Sequence, residues 1–185
     1  MTIAIGFNTG EGSIIATDSR LTMQLNRRLF VKSDQTQKIF RINDYLFTTA
    51  GQYNLKWNNQ WLSVKEFLIN FVARHPAWQH QALATALQAE MITTNLDDND
   101  FIMAVGRETW LINRNEVSSL SYTAIGTKNA AEKFYPVFFT LNDNLPLPLL
   151  AQMLETKLTE FIAKNPQIGK IGGPVQVAYI QYKNA

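Results

Sequence analysis

The chain has 185 residues, is 46% apolar and carries a net charge of +2. That is enough chain to bury a sizeable core as one domain over 1–185, and too little positive charge to point to a nucleic-acid partner. There is no cysteine, which excludes a disulfide framework and thiolate metal sites.

Residues 2–7 (Thr-Ile-Ala-Ile-Gly-Phe) alternate as a strand, and 13–18 (Ser-Ile-Ile-Ala-Thr-Asp) read as a second. Between them Asn8-Thr9-Gly10-Glu11-Gly12 reads as a Gly-rich turn. A hairpin folded about Gly10 puts Thr2 directly opposite Asp18, where Cβ atoms sit roughly 4.5–5.5 Å apart. Asn26-Arg27-Arg28 is read as a solvated loop. Strands at 38–42 and 45–49 follow, flanking Asn43-Asp44, a two-residue loop suited to a tight turn. In that register Lys38 opposes Thr49, beside Ala50-Gly51.

Two helices come next. Ser63-Val64-Lys65-Glu66 is a capping box, and Val64, Phe67, Leu68, Phe71 and Val72 form an apolar stripe behind it. Pro76 ends this helix. Residues 79–93 form the second, with Leu83, Leu87 and Ile92 inward. His75 and His80 lie at the break between the two and are read as surface residues. Asp97, Asp98 and Asp100 form an acidic turn without a calcium-loop pattern, so no metal is assigned. Strands are expected at 101–106, 109–113 and 120–126, helices near 128–135 and at 147–164, and a final strand at 175–182. Trp57 and Trp61 fit a subunit contact or the core equally well. The longest apolar runs are strand-length, so neither a signal peptide nor a membrane span is read. A cytoplasmic protein with no membrane partner and no cofactor is expected. Sheets followed by helix pairs give an α+β class, in which each element must bury an apolar face.

The chemistry lies at one end of these hairpins. A threonine behind the initiator methionine becomes, once Met1 is removed, a hydroxyl nucleophile carrying its own free α-amine as base. Asp18 and Lys38 are placed at the same end. Lys38 as a cation would lower the pKa of the amine, and Asp18 would pair with Lys38 and fix its ammonium.

In this order and spacing the residues resemble the proteasome β-type peptidases, including the HslV-type subunits, of the N-terminal nucleophile hydrolases. Thr2-Ile3-Ala4-Ile5-Gly6 is similar to the mature N-terminus of that family. Residues 12–22, with Thr17-Asp18-Ser19-Arg20, are similar to its second strand, and 35–42 to its lysine strand. Thr49-Ala50-Gly51 resembles the strand end that supplies an oxyanion-hole amide, here that of Gly51. Ala124-Ile125-Gly126-Thr127 resembles the Gly-Ser-Gly segment with Thr127 in the place of the serine, and Gly172-Gly173-Pro174-Val175 resembles the entry to the last strand.

The resemblance implies a four-layer αββα sandwich and peptide-bond hydrolysis. Thr2 would be the nucleophile, and Thr127 would hydrogen-bond its amine. Leu21, Thr22, Thr49 and Tyr53 are expected by position to line the substrate pocket. It also implies self-association into hexameric or heptameric rings, stacked in pairs and fed polypeptide by an AAA+ unfoldase ATPase. Two departures stand out. The segment from Arg20 to Lys38 is longer by a few residues. Many proteolytic members carry an Asp and a Ser just before the Gly-Gly pair, whereas Gln167-Ile168-Gly169-Lys170-Ile171 holds neither. These departures keep open a non-catalytic ring subunit, or a small-amide hydrolase of the same fold.

Overall fold

A computed structural model describes residues 2–182, except Asn58, Asn95, Asp97 and Gly169. One part of the acidic turn, Asp97, and one residue of the divergent segment before Gly172 therefore lie outside the described residues, as does Met1.

Strands β1 (Ile3–Thr9) and β2 (Gly12–Thr17) form the first hairpin. Strand β2 also pairs with β13 (Gln176–Gln181), and β1 with β12 (Tyr122–Gly126), to give an antiparallel sheet of order β12-β1-β2-β13. The second sheet has order β11-β10-β9-β6-β5, from Glu116–Ser119, Glu108–Asn113, Asp100–Val105, Tyr45–Ala50 and Ile39–Ile42. Two ribbons, β3 (Leu21–Leu25) with β4 (Arg28–Ser33) and β7 (Asn54–Trp57) with β8 (Gln60–Ser63), complete the strands.

Three cores follow from the alternation along these strands. Phe40, Phe47, Phe101 and Met103 bury one face of the five-stranded sheet against Phe67, Phe71 and Leu87 of helices α1 (Val64–Arg74) and α2 (His80–Thr93). Ile3, Ile5 and Ile14 bury a face of the other sheet against Phe134, Leu150 and Leu154 of α3 (Lys128–Phe138) and α4 (Leu147–Lys164). The opposite faces meet through Ala4, Ile15, Leu46, Ile102 and Ala104. Gly6 lets them approach closely: a Cβ there would sit 2.8 Å from Ile102 Cγ2.

Several expectations hold. The register of β5 on β6 runs from Ile42↔Tyr45 to Ile39↔Thr48, so Lys38 and Thr49 flank it as expected. Asn43 takes φ 52° in the turn, a conformation Asn tolerates better than most residues. The Ser63 hydroxyl accepts from Glu66 N, and the Glu66 carboxylate accepts from Ser63 N, at 3.2 and 2.7 Å. The five stripe residues of α1 are all buried.

Others need correction. The first hairpin turns through two residues, Gly10 and Glu11, so Ala4 pairs with Thr17 and Thr9 with Gly12. Asp18 therefore stands level with Ile3, not Thr2. Ile92 is 48% exposed, and Met91 completes the stripe of Leu83 and Leu87: four-residue steps return to one helix face, and a fifth residue turns off it. The stretch expected as one strand over 120–126 follows an unexpected strand, β11, that belongs to the other sheet, because the chain changes sheets at Leu120-Ser121. Helix α3 runs three residues past its expected end.

Asn26-Arg27 is the turn of a ribbon, with φ 50° and 64°, rather than the centre of a loop. Met23, Leu25, Leu29, Phe30 and Val31 of that ribbon are exposed. Trp61 is exposed, whereas Trp57 packs edge-on to Phe67 at 6.1 Å.

Candidate active site

The ends of three segments converge where their ladders stop. Asp18 follows the last residue of β2, Lys38 precedes the first of β5, and Thr2 precedes β1. All three are buried, Asp18 to 0% exposure and Lys38 to 3%. Lys38 Nζ donates to Thr2 Oγ1 at 2.6 Å and to Asp18 Oδ1 at 2.9 Å. Strict alternation would send the side chains of Thr2 and Asp18 to opposite faces in the observed register. Both lie outside the last ladder pair, however, and Lys38 reaches the two of them.

The Asp18 carboxylate is held from several sides. Besides Lys38, it accepts from Ile3 N at 3.1 Å, Gly172 N at 3.1 Å and Arg20 N at 3.3 Å. Burial pushes the Asp18 carboxyl up from its ordinary range, while the charge and hydrogen bond of Lys38 and the backbone donors pull it back. Burial likewise pushes the Lys38 ammonium below the ordinary lysine range, against the attraction of Asp18. Lys38 is the donor in its contact with Thr2 Oγ1, so at 2.6 Å it is placed to orient and polarise that hydroxyl.

An outer ring of contacts fixes this cluster. Gln176 Oε1 accepts from Lys38 N at 2.9 Å, and its Nε2 donates to Thr36 O at 2.8 Å. Arg20 forms a two-pronged pair with Asp34, at 2.6 and 3.2 Å, and donates to Ile171 O at 3.3 Å. Ser19 N and Arg20 N both donate to Gly172 O. The Thr2 carbonyl accepts from Thr127 N at 3.1 Å. The Thr127 hydroxyl caps α3, accepting from Ala130 N at 3.3 Å.

A cavity of about 170 Å³ opens beside Thr2, lined by Ala50, Gly51, Asp98, Asp100 and Gly126. Leu21, Thr22, Thr49 and Tyr53 are not among its lining residues. The Thr49 hydroxyl donates to Asp100 O at 3.1 Å and accepts from Asn99 Nδ2 at 3.0 Å. The Tyr53 hydroxyl donates to Gln37 O at 3.2 Å. Leu21 and Thr22 begin strand β3.

Gly51 lies at the lip of the cavity with φ 133°. A Cβ there would stand 2.5 Å from Asn99 Oδ1, and the side chain of Asn99 also ties down Gln52 N and Gln52 O, each at 2.9 Å. Gly51→Ala is therefore expected to cost about 1–3 kcal/mol from backbone strain alone, measured by urea unfolding.

Asn99, Gln176 and the two cavity aspartates were not singled out by sequence reasoning as site residues. Asn99 and Gln176 lie far along the chain from the segments they hold, and no motif marks them. Asp100 opposes Ala50 in the β6–β9 ladder, a pairing that only the assembled sheet discloses. Among the described residues no group of three or more His, Cys, Asp or Glu is arranged to hold a metal ion. His75 Nδ1 donates to Phe71 O, and His80 contacts Glu108.

No protein-family model matches the chain, and no curated protein matches it in sequence. Its three-dimensional form is similar to that of a solved structure, eukaryotic HslV from Trypanosoma brucei, with a TM-score of 0.71 at 17% identity, over 97% of this chain and 99% of that chain. The chain has the HslV fold. The likeness runs over nearly the whole of both chains and takes in the antiparallel sheets and the four helices found among the described residues. Among the described residues no helix is long and apolar enough to cross a membrane.

Proposed function

We propose that this chain is a threonine peptidase of the N-terminal nucleophile type, with the αββα layering that its three cores suggest. One observation carries the reading: a buried lysine, Lys38, stands 2.6 Å from Thr2 Oγ1 and 2.9 Å from Asp18 Oδ1. After Met1 is removed, Thr2 Oγ attacks the carbonyl of a peptide bond. The proton leaves to the Thr2 α-amine, whose ordinary pKa of about 7.7–8.0 leaves a neutral fraction near pH 7. Lys38 orients and polarises the hydroxyl and lowers the amine's pKa by its charge. Asp18 holds Lys38 in place. The Gly51 N–H stabilises the oxyanion, a contribution of about 2.7–4 kcal/mol for one such donor. The tetrahedral intermediate collapses with cleavage of the peptide C–N bond, the leaving amine takes the proton held by the Thr2 α-amine, and water then cleaves the acyl ester left on Thr2.

The HslV likeness supports a wider reading of the same kind: a homo-oligomeric ring, six- or seven-membered, working in the cytoplasm with a polypeptide substrate and an unfoldase ATPase. The experiment is intact mass before and after incubation with a threonine-directed epoxyketone or β-lactone. Loss of Met1 and gain of one adduct is the expected result.

A second reading has its own observation. Ile168 and Ile171, in the segment where proteolytic relatives carry Asp and Ser, are buried in the core against α3 and α4. With the Thr127 hydroxyl occupied as a helix cap, the support for a Thr2 amine is thinner than the resemblance implies. A non-catalytic subunit fits that observation. Retention of Met1, or its loss without adduct formation, would decide for it.

A further inference from the structure

The cavity beside Thr2 is uneven in its chemistry. Ala50, Gly51 and Gly126 bring nothing larger than a methyl group to its wall, and Thr2 brings a hydroxyl already engaged by Lys38. The long side chains among the lining residues are those of Asp98 and Asp100, both acidic. Asp98 is exposed, but Asp100 is partly buried. The Asp100 backbone carbonyl accepts from the Thr49 hydroxyl, while its carboxylate has no hydrogen bond or ion pair among the described residues. Asp18 differs in having four donors. Burial pushes the Asp100 carboxyl above its ordinary range, which reflects the cost of a charge that has lost water and gained no partner.

An apolar side chain entering this space would strip more water from that carboxylate and give nothing back. A cation would restore what burial removed. At about 170 Å³ the cavity has room for roughly five waters at about 30 Å³ each, or for one long, narrow side chain. We propose that it takes the side chain of a lysine or arginine on the residue whose carbonyl Thr2 attacks, with Asp100 as the specificity-determining partner and Asp98 at the mouth. The position of that side chain relative to the scissile bond rests on the peptidase reading.

The test is calorimetric binding, at low salt, of two peptide amides that differ only by lysine or norleucine at that residue. The wild-type protein is expected to bind the lysine peptide at least about tenfold more tightly, near the low end of what close charge pairs contribute across an interface. In Asp100→Asn the ratio falls towards one. Equal affinities in the wild type, a preference for norleucine, or binding of neither peptide would overturn the proposal without recourse to any variant. Covalent reaction at Thr2 is scored separately by intact mass. Cleavage without lysine preference overturns the specificity alone. Lysine preference without covalent reaction overturns the peptidase reading and leaves the cation site standing.

Discussion

Thr2→Ala is expected to abolish peptide hydrolysis and leave the fold in place. Loss of a hydrolase nucleophile costs on the order of 10⁶ in kcat, so the residual rate should fall to the background of the assay. The stability cost should be small by comparison. Thr2 lies outside the β1 ladder, and the substitution removes only a γ-methyl and a hydroxyl with its one hydrogen bond, to Lys38. One such bond contributes about 0.5–1.5 kcal/mol. Lys38 keeps Asp18 as a partner in the variant, so no buried charge is left alone. The informative measurement is therefore a pair: turnover of a fluorogenic peptide, and the midpoint of urea unfolding. Turnover lost with the midpoint nearly unchanged is the expected outcome. Full activity in purified Thr2→Ala would remove threonine as the nucleophile, and collapse of the midpoint would mean that Thr2 is chiefly structural.

The β5–β6 register was legible because Asn43-Asp44 allows only a tight two-residue turn, and that turn placed Lys38 beside Thr49. Ser63 and Glu66 announced the start of α1 by reciprocal capping. The first hairpin was less determined. Five turn-forming residues from Asn8 to Gly12 permit loops of two or three residues, and the observed loop is the shorter. The error moved Asp18 by one position yet left the cluster intact, since Lys38 spans the gap with a flexible stem. Asn99 and Gln176 were not legible at all. Each acts through backbone groups of segments dozens of residues away, and a hydrogen bond to a backbone amide leaves no trace in the sequence of the segment that receives it. The β3–β4 ribbon was missed for another reason. Leu21, Met23 and Leu25 alternate in β3, but Leu29, Phe30 and Val31 run consecutively in β4 and are exposed, so no half-buried pattern spans the pair.

Removing Lys38 should do more than slow the reaction. Lys38 and Asp18 form a buried ion pair, and deleting one partner of such a pair costs about 3–5 kcal/mol because the other charge is left uncompensated. Lys38→Met is thus expected to unfold at markedly lower urea concentration and to lose turnover together. The double variant Asp18→Asn/Lys38→Met removes both charges while Asn retains an oxygen for Ile3 N and Gly172 N. It should be more stable than the sum of the single effects predicts, by an interaction energy of about 1–3 kcal/mol, and still inactive.

The pH dependence has a definite sign. Burial lowers the Lys38 pKa in the folded state, so its contribution to stability is present above the ordinary lysine value and is lost as pH falls through the lowered one. Burial raises the Asp18 pKa, so its contribution is present below the ordinary carboxyl value and is lost as pH rises through the raised one. Between those two limits both charges weigh against the fold. The wild-type protein should accordingly gain less stability on approaching neutral pH than the double variant does, a difference that urea unfolding from pH 4 to 9 measures directly. A wild-type advantage that instead grows towards neutrality would show the pair to be a net stabiliser. The expected result means that the pair is held at a cost to stability, and the group that benefits from it is the hydroxyl of Thr2.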